Sequence, residues 1–206
     1  AGVFSAGGDV PSMLGLDGAG ARARMQHVAV LCRMVAGLRV PVVSAVEGIG
    51  AGAAVGLALL GDHIVVGTGA RILFPFLQLG LVPDWGQMLT LPRRVGVRGA
   101  RRILTAGEPV RGEEALRIGL ADALVADDQV MASAIAKASE LARLPMGAFA
   151  RMKDRLTRVS SSLDFELQRE EDDQAVSLTG DEFREGYDAF KNRRAADFIA
   201  LPGAKA

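Results

Sequence analysis

One aspartate, Asp84, sits in the apolar stretch GLVPDWG (residues 80–86), with the chain's only tryptophan, Trp85, beside it. Apolar surroundings disfavour the charged form of a carboxyl group, so its pKa climbs toward values useful for proton transfer. Two small-residue stretches offer complementary equipment. FSAGGD (4–9) reads as a turn whose backbone can approach a ligand, and GAGAA (50–54) opens an apolar run that reads as a helix. The first N–H groups of a helix have no partner within it, which suits an anion or a developing oxyanion. Taken singly, each stretch also fits a plainer reading. PDWG serves as a turn in many proteins, Asp is a preferred cap for a helix starting near Gly86, and a glycine-rich helix start often means only close packing.

The bulk of the chain narrows the choices. It has 206 residues, half of them hydrophobic, with 24 Lys plus Arg against 24 Asp plus Glu. Such a chain can bury a substantial core, and the balanced charge gives no reason to expect nucleic acid or an anionic membrane as partner. The single cysteine, Cys32, lies in an apolar run and excludes an intrachain disulfide or a thiolate zinc site; it reads as a buried, inert thiol. His27 and His63 lie in no metal-type motif, so no metal site is expected. Residues 40–66 are apolar but are broken by glycines, Glu47 and Asp62, so no bilayer span is expected and a cytoplasmic protein is the default. The chain opens AGVFSAGGDV without a Met, and a strand fits ahead of Ala1.

The elements that must position these residues follow from periodicity. LRVPVVSAVEG (38–48) reads as a buried strand, GAGAAVGLALLG (50–61) as a helix buried on all sides, and DHIVVGT (62–68) and ARILF (70–74) as two more strands. Strand–helix–strand order suggests a βαβ unit with a partly parallel sheet. Two helices are expected over 86–96 and 97–107, then a helix, a turn at Gly119 and a strand at 123–125. Residues 127–143 have helical spacing, and 163–178 and 180–194 read as surface helices, with REEDD (169–173) as a solvated face. The expected division is a mixed α/β core over 1–126 and a helical portion over 127–206.

FSAGGDV, VPVVSAVEGIGAGAAVGLALLGD, FPFLQLGLVPDWGQMLTLPRRVG and ARRILTAGEPVRGEEALRIGLADALV, in that order, resemble the crotonase superfamily, the enoyl-CoA hydratase/isomerase family. EFREGYDAFKNRR (182–194) resembles its closing segment. The resemblance implies an α/β fold, a ββα spiral core with a helical C-terminal trimerisation portion. It also implies another strand–helix–strand portion ahead of FSAGGD. Further implied are an acyl-CoA thioester substrate, no cofactor beyond the coenzyme A of that substrate, and a homotrimer or hexamer.

Carried over residue by residue, the resemblance makes the Ala6 and Ala53 amides an oxyanion hole for the thioester oxygen, with Gly52 beside the second. Proton removal next to a thioester makes an enolate-like anion, and fixed donors at its oxygen lower the barrier. Hydratases of the family carry two glutamates; their places here are Gly56 and Phe76. Asp84, eight residues past Phe76, matches the catalytic aspartate of other branches, most closely that of the ring-1,2-epoxyphenylacetyl-CoA isomerases. In that reading Asp84 is a single acid/base, Phe74, Phe76 and Trp85 form apolar walls, and Arg193 and Arg194 approach the CoA phosphates; a solvated helix end fits these arginines equally well. Asp9, Asp62 and Glu47 read as turn, cap or structural residues. The expected function is an isomerase. The alternatives are a hydratase, a dehalogenase-like enzyme with Asp84 as nucleophile and His27 as a candidate base, or a non-catalytic acyl-CoA-binding protein.

Overall fold

The computed structural model describes residues 2–158 and 162–202. The chain divides into two compact units, residues 1–36 with 42–138 and residues 37–41 with 139–206.

The first unit is built on two sheets. One holds β1 (Val3–Ser5), β3 (Ile49–Ala51) and β5 (Arg71–Leu73) in parallel, with β6 (Val110–Arg111) antiparallel to β5. The other holds β2 (Val43–Val46), β4 (His63–Gly67) and β7 (Ala123–Val125), all parallel. The chain lays β2 in one sheet and β3 in the other, returns through α2 (Ala53–Ala58), and repeats the step with β4 and β5. That is a ββα spiral. Around it run α1 (Gly18–Ala36), α3 (Gln87–Ala106) and α4 (Gly112–Arg117), and α5 (Val130–Leu141) follows.

Strand β4 explains the parallel arrangement. Ile64, Val65 and Val66 are almost wholly buried, as an apolar run must be when both faces of a strand are covered. Ile64 and Val66 join Val55, Phe74, Phe76, Leu91, Ile103 and Leu120 in one core cluster, while Val65 packs with Val130 and Ala134 in another. One carboxylate ties α3 to the second sheet: Asp122 Oδ2 accepts from Ile64 N at 2.8 Å and from Arg94 Nη1 at 3.0 Å.

Several boundaries differ from expectation. The strand expected over 38–48 is confined to β2, because Pro41 interrupts the run and Gly48, at φ 59°, redirects the chain into β3. Residues 50 and 51, expected to open a helix, join Ile49 in that strand because β1 and β5 pair with it on both sides. The helix therefore starts at Ala53, and Leu57 on it is exposed. The two helices expected over 86–107 appear as α3, broken by non-helical geometry at Gly96 (φ 71°, ψ 160°).

The second unit contains α6 (Met146–Thr157), α7 (Leu163–Thr179) and α8 (Asp181–Lys191). The REEDD run is not simply a solvated face. Arg169 pairs with Asp154 of α6 at 3.0 Å, and Asp173 lies 3.7 Å from Arg151. Among the described residues no helix is long and apolar enough to cross a membrane.

Leu91 is fully buried in the larger core cluster. Leu91→Ala is expected to lower the unfolding free energy by about 2–5 kcal/mol in urea titrations. A loss under about 1 kcal/mol contradicts this packing.

Candidate functional site

The FSAGGD turn reaches the start of α2 by way of strand pairing. The register sets Ser5 beside Gly50, so the residues after β1 arrive at the residues after β3. Ser5 Oγ accepts from Gly7 N at 3.2 Å and closes the turn. Gly7, at φ 93°, lies so close that a Cβ on it would run into Ala51 O and stand 3.4 Å from Ala53 N. Gly52, at φ 53°, turns the corner into the helix. Its N–H donates to Leu73 O at 3.0 Å, and its carbonyl accepts from Val55 N at 3.0 Å. Ala53 is the first helical residue, so its N–H has no acceptor inside the helix. Among the described residues neither the Ala6 nor the Ala53 amide donates to another protein group.

The loop before α3 brings the carboxylate. Asp84 is half-buried, and its Oδ1 is buried without a hydrogen-bond partner. Burial pushes its pKa above the ordinary value of 3.8, partly opposed by its own backbone amide and by the Arg24 guanidinium. Trp85 adopts φ 51°, a left-handed conformation that a side chain disfavours, and Gly86 (φ 75°) caps α3. No side chain caps that helix; the carbonyl of Asp84, not its carboxylate, accepts the Gln87 N–H at 3.0 Å. The capping reading of Asp84 is thereby set aside.

The fully buried Gln87 joins this loop to the helix start: its Nε2 donates to Gly52 O at 3.2 Å and to Asp84 O at 3.0 Å. Sequence reasoning passed over Gln87, because a polar residue at a helix start carries no mark of where its amide will point. The same loop explains Gly56. A Cβ there would strike Trp85 Cβ, with Trp85 O 3.0 Å and Gln87 Nε2 3.1 Å away. The loop backbone occupies the space a side chain at position 56 would need.

The structure corrects one expectation and qualifies others. Phe74 and Phe76 are 3% and 6% exposed and belong to the core cluster, so they support the site from beneath instead of lining open space. The Phe76 ring stands 4.0 Å from where a Cβ of Gly52 would be. Trp85 is half-buried beside Gly56. Arg193 is exposed in the second unit, and Arg194 is held by Glu185 and Asp188 at 2.6 and 2.7 Å, a pairing that pulls the Glu185 pKa down to about 2. Asp62 accepts from Val42 N at 2.8 Å, Ser12 Oγ donates to the Asp9 carbonyl at 2.6 Å, and the Glu47 carbonyl accepts from Phe4 N at 2.8 Å, all structural contacts. Cys32 is half-buried, not fully buried; that burial, and next the Asp84 charge, raise its thiol pKa. Among the described residues no group of three or more His, Cys, Asp or Glu is placed to hold a metal ion.

Three motifs far apart in sequence thus meet around Gly52 and Gly56. The sequence profile of the family described as enoyl-CoA hydratase/isomerase matches residues 1–200. The chain belongs to the enoyl-CoA hydratase/isomerase family. A 1,2-epoxyphenylacetyl-CoA isomerase from Escherichia coli K12 is 32% identical over 169 residues, 82% of this chain. A "Probable enoyl-CoA hydratase" from Rhodobacter capsulatus is 36% identical over 159 residues, 77% of this chain. The chain spans 64% and 62% of those relatives' own lengths, under two thirds of each. The crystal structure of an enoyl-CoA hydratase from Polaromonas sp. JS666 superposes with a TM-score of 0.87 at 26% identity, covering 96% of this chain and 78% of that one. The fold of this enoyl-CoA hydratase/isomerase family member is therefore the crotonase fold, with both small-residue turns and the Asp84 loop inside the matched region.

Two outcomes test this geometry. A carboxyl whose folded pKa is raised binds more protons folded than unfolded, so it lowers stability as pH climbs from the ordinary value toward the raised one. Asp84→Asn is therefore expected to raise the melting temperature at neutral pH, with the gain vanishing below the ordinary value of 3.8. Gly56→Ala should cost about 1–3 kcal/mol in denaturant titrations through its collision with Trp85. A neutral substitution there means the loop does not rest on α2.

Proposed function

We propose that this chain forms the catalytic part of an acyl-CoA isomerase in which Asp84 is the only proton-transfer group. The carrying observation is that the loop bearing Asp84 is hydrogen-bonded to Gly52, the residue preceding the Ala53 amide. Asp84 takes a proton from the γ carbon of a 2-enoyl thioester, or the α carbon of a 3-enoyl thioester. The C–H electron pair forms the new carbon–carbon double bond. The displaced π electrons move onto the thioester oxygen, where the Ala6 and Ala53 N–H groups hold the dienolate. In oxyanion holes of other enzymes each donor is worth about 3–4 kcal/mol. Protonated Asp84 then returns the proton to the other carbon. Nothing is oxidised, no water is added, and coenzyme A enters only as part of the substrate. The raised pKa of Asp84 suits a base that must also act as an acid.

The names of the Rhodobacter and Polaromonas relatives suggest hydration as a second reading, but hydration needs a further positioned acid. Position 56 is a glycine covered by the Asp84 loop, and position 76 is a core phenylalanine. A dehalogenase-like role needs a histidine facing Asp84. Arg24 and Cys32 are the α1 residues whose electrostatics couple to Asp84; His27 lies ~100° around the helix from their midline, and its Nδ1 is 3.0 Å from Ala23 O. A non-catalytic acyl-CoA-binding protein would need no carboxyl group with a buried, unpartnered oxygen. Arg193 is assigned to the CoA phosphates, for which a guanidinium is suited. The second unit is assigned to assembly as a homotrimer or hexamer. There Phe183, Tyr187 and Phe190 lie along α8, exposed by 47%, 58% and 83%.

Incubation with 2-enoyl- and 3-enoyl-CoA in D₂O tests the reaction. The wild type is expected to exchange α and γ protons and to interconvert the isomers, and Asp84→Asn to lose about 10²–10⁴-fold in rate. Undiminished exchange in Asp84→Asn removes Asp84 from the mechanism. A 3-hydroxyacyl product would favour hydration, and binding without turnover a non-catalytic role.

A further inference from the structure

Building on the proton transfer proposed for Asp84, we infer that Gln87 is a positioning residue that polarises the Ala53 amide and seats the Asp84 loop with the same side-chain NH₂. Gly52 O and Ala53 N belong to one planar peptide unit. Gln87 Nε2 donates to that oxygen at 3.2 Å, so the bond acts on the group whose N–H is to meet the thioester oxygen. A donor at the carbonyl end of a peptide strengthens the N–H at the other end as a donor, and more so away from water. Gln87 is 0% exposed.

The orientation of the amide is forced. Both acceptors are backbone carbonyls, so a flip would set Oε1 against two oxygens. The orientation also has a cost, since Oε1 is buried with no hydrogen-bond partner. Filling space at this spot would be served better by an apolar residue, which leaves no orphaned oxygen. Asp84 O meanwhile receives both the Gln87 N–H and Nε2 at 3.0 Å. The loop cannot slide along α2 without unpairing the buried amide. One side chain therefore ties the peptide that carries the Ala53 amide to the backbone of the Asp84 loop.

The test compares wild type, Gln87→Met and Gln87→Glu in the full chain. Removing a direct oxyanion donor costs about 100–1000-fold in other enzymes. Weakening one through its own peptide should cost about tenfold. Gln87→Met, of similar length but with no donor, is expected to slow α/γ exchange about tenfold or more, with KM for the acyl-CoA nearly unchanged. Gln87→Glu, which burial and the two facing carbonyls favour in its protonated form, keeps a single O–H donor and should fall between wild type and Gln87→Met. The ¹⁵N resonance of Ala53 should move upfield in Gln87→Met. An unchanged rate constant and an unchanged Ala53 shift overturn the role of Gln87. Should Gln87→Met fail to fold, the wild type decides: its Gln87 Nε2 protons must exchange slowly with solvent, and fast exchange overturns the role. Wild-type exchange that does not depend on Asp84 defeats the proposed reaction, whereas the Ala53 shift and Nε2 protection test Gln87 regardless. Asp84-dependent exchange unaltered in Gln87→Met defeats the Gln87 role alone.

Discussion

Two stretches of backbone come within hydrogen-bonding reach, side by side, only where neither puts a side chain between them. Around α2 that condition is met twice. Gly7 lets the first turn lie against Ala51 and Ala53, and Gly56 lets the Trp85 backbone lie on the helix. A methyl group at either place would separate partners that must stay together. The remaining geometry depends on these approaches. Gln87 can reach Gly52 because the loop is already down on the helix, and Asp84 stands near the helix start because Gln87 holds its carbonyl. The small residues are what is left in the sequence when a site is made of main-chain groups.

This arrangement is locally unfavourable, and the rest of the first unit must offset it. Trp85 holds a left-handed backbone conformation, worth about 1–3 kcal/mol of strain. Two buried oxygens, Asp84 Oδ1 and Gln87 Oε1, have no protein partner. The support comes from below, where Phe74, Phe76 and Leu91 are packed into the same core cluster as Val55 of α2. Phe74 and Phe76, expected with Trp85 to line a pocket, lie instead in the core beneath the glycine turn. A partly buried carboxyl group with one unpartnered oxygen is a poor choice for stability and a good one for moving protons, which is the usual relation between a strained site and its function.

The parts of the fold readable in advance were those with a strong local signal. The strand at 123–125, the turn at Gly119 and the helix break at Gly96 all follow from short-range chemistry, and each stands where that chemistry puts it. Strand β3 did not, because Gly50 and Ala51 look like the start of a glycine-rich helix until β1 and β5 flank them. The meeting of FSAGGD, GAGAA and PDWG could be anticipated from resemblance, since it depends on their combination and order. Gln87 could not, because its function lies in which carbonyls its amide meets, and those are 35 and 3 residues away. Phe74 and Phe76 were misplaced for a related reason: an aromatic residue beside a proline fits a wall or a core equally well until the layer beneath is known.

The most direct test of the site is the crystal structure of this chain with an unreactive acyl-CoA analogue bound. The expected result places the thioester oxygen within about 2.7–3.1 Å of both the Ala6 and the Ala53 nitrogens. The Asp84 carboxyl should then face the α or γ carbon across the acyl chain. An analogue whose carbonyl oxygen meets neither amide, or whose acyl chain runs away from Asp84, would contradict it.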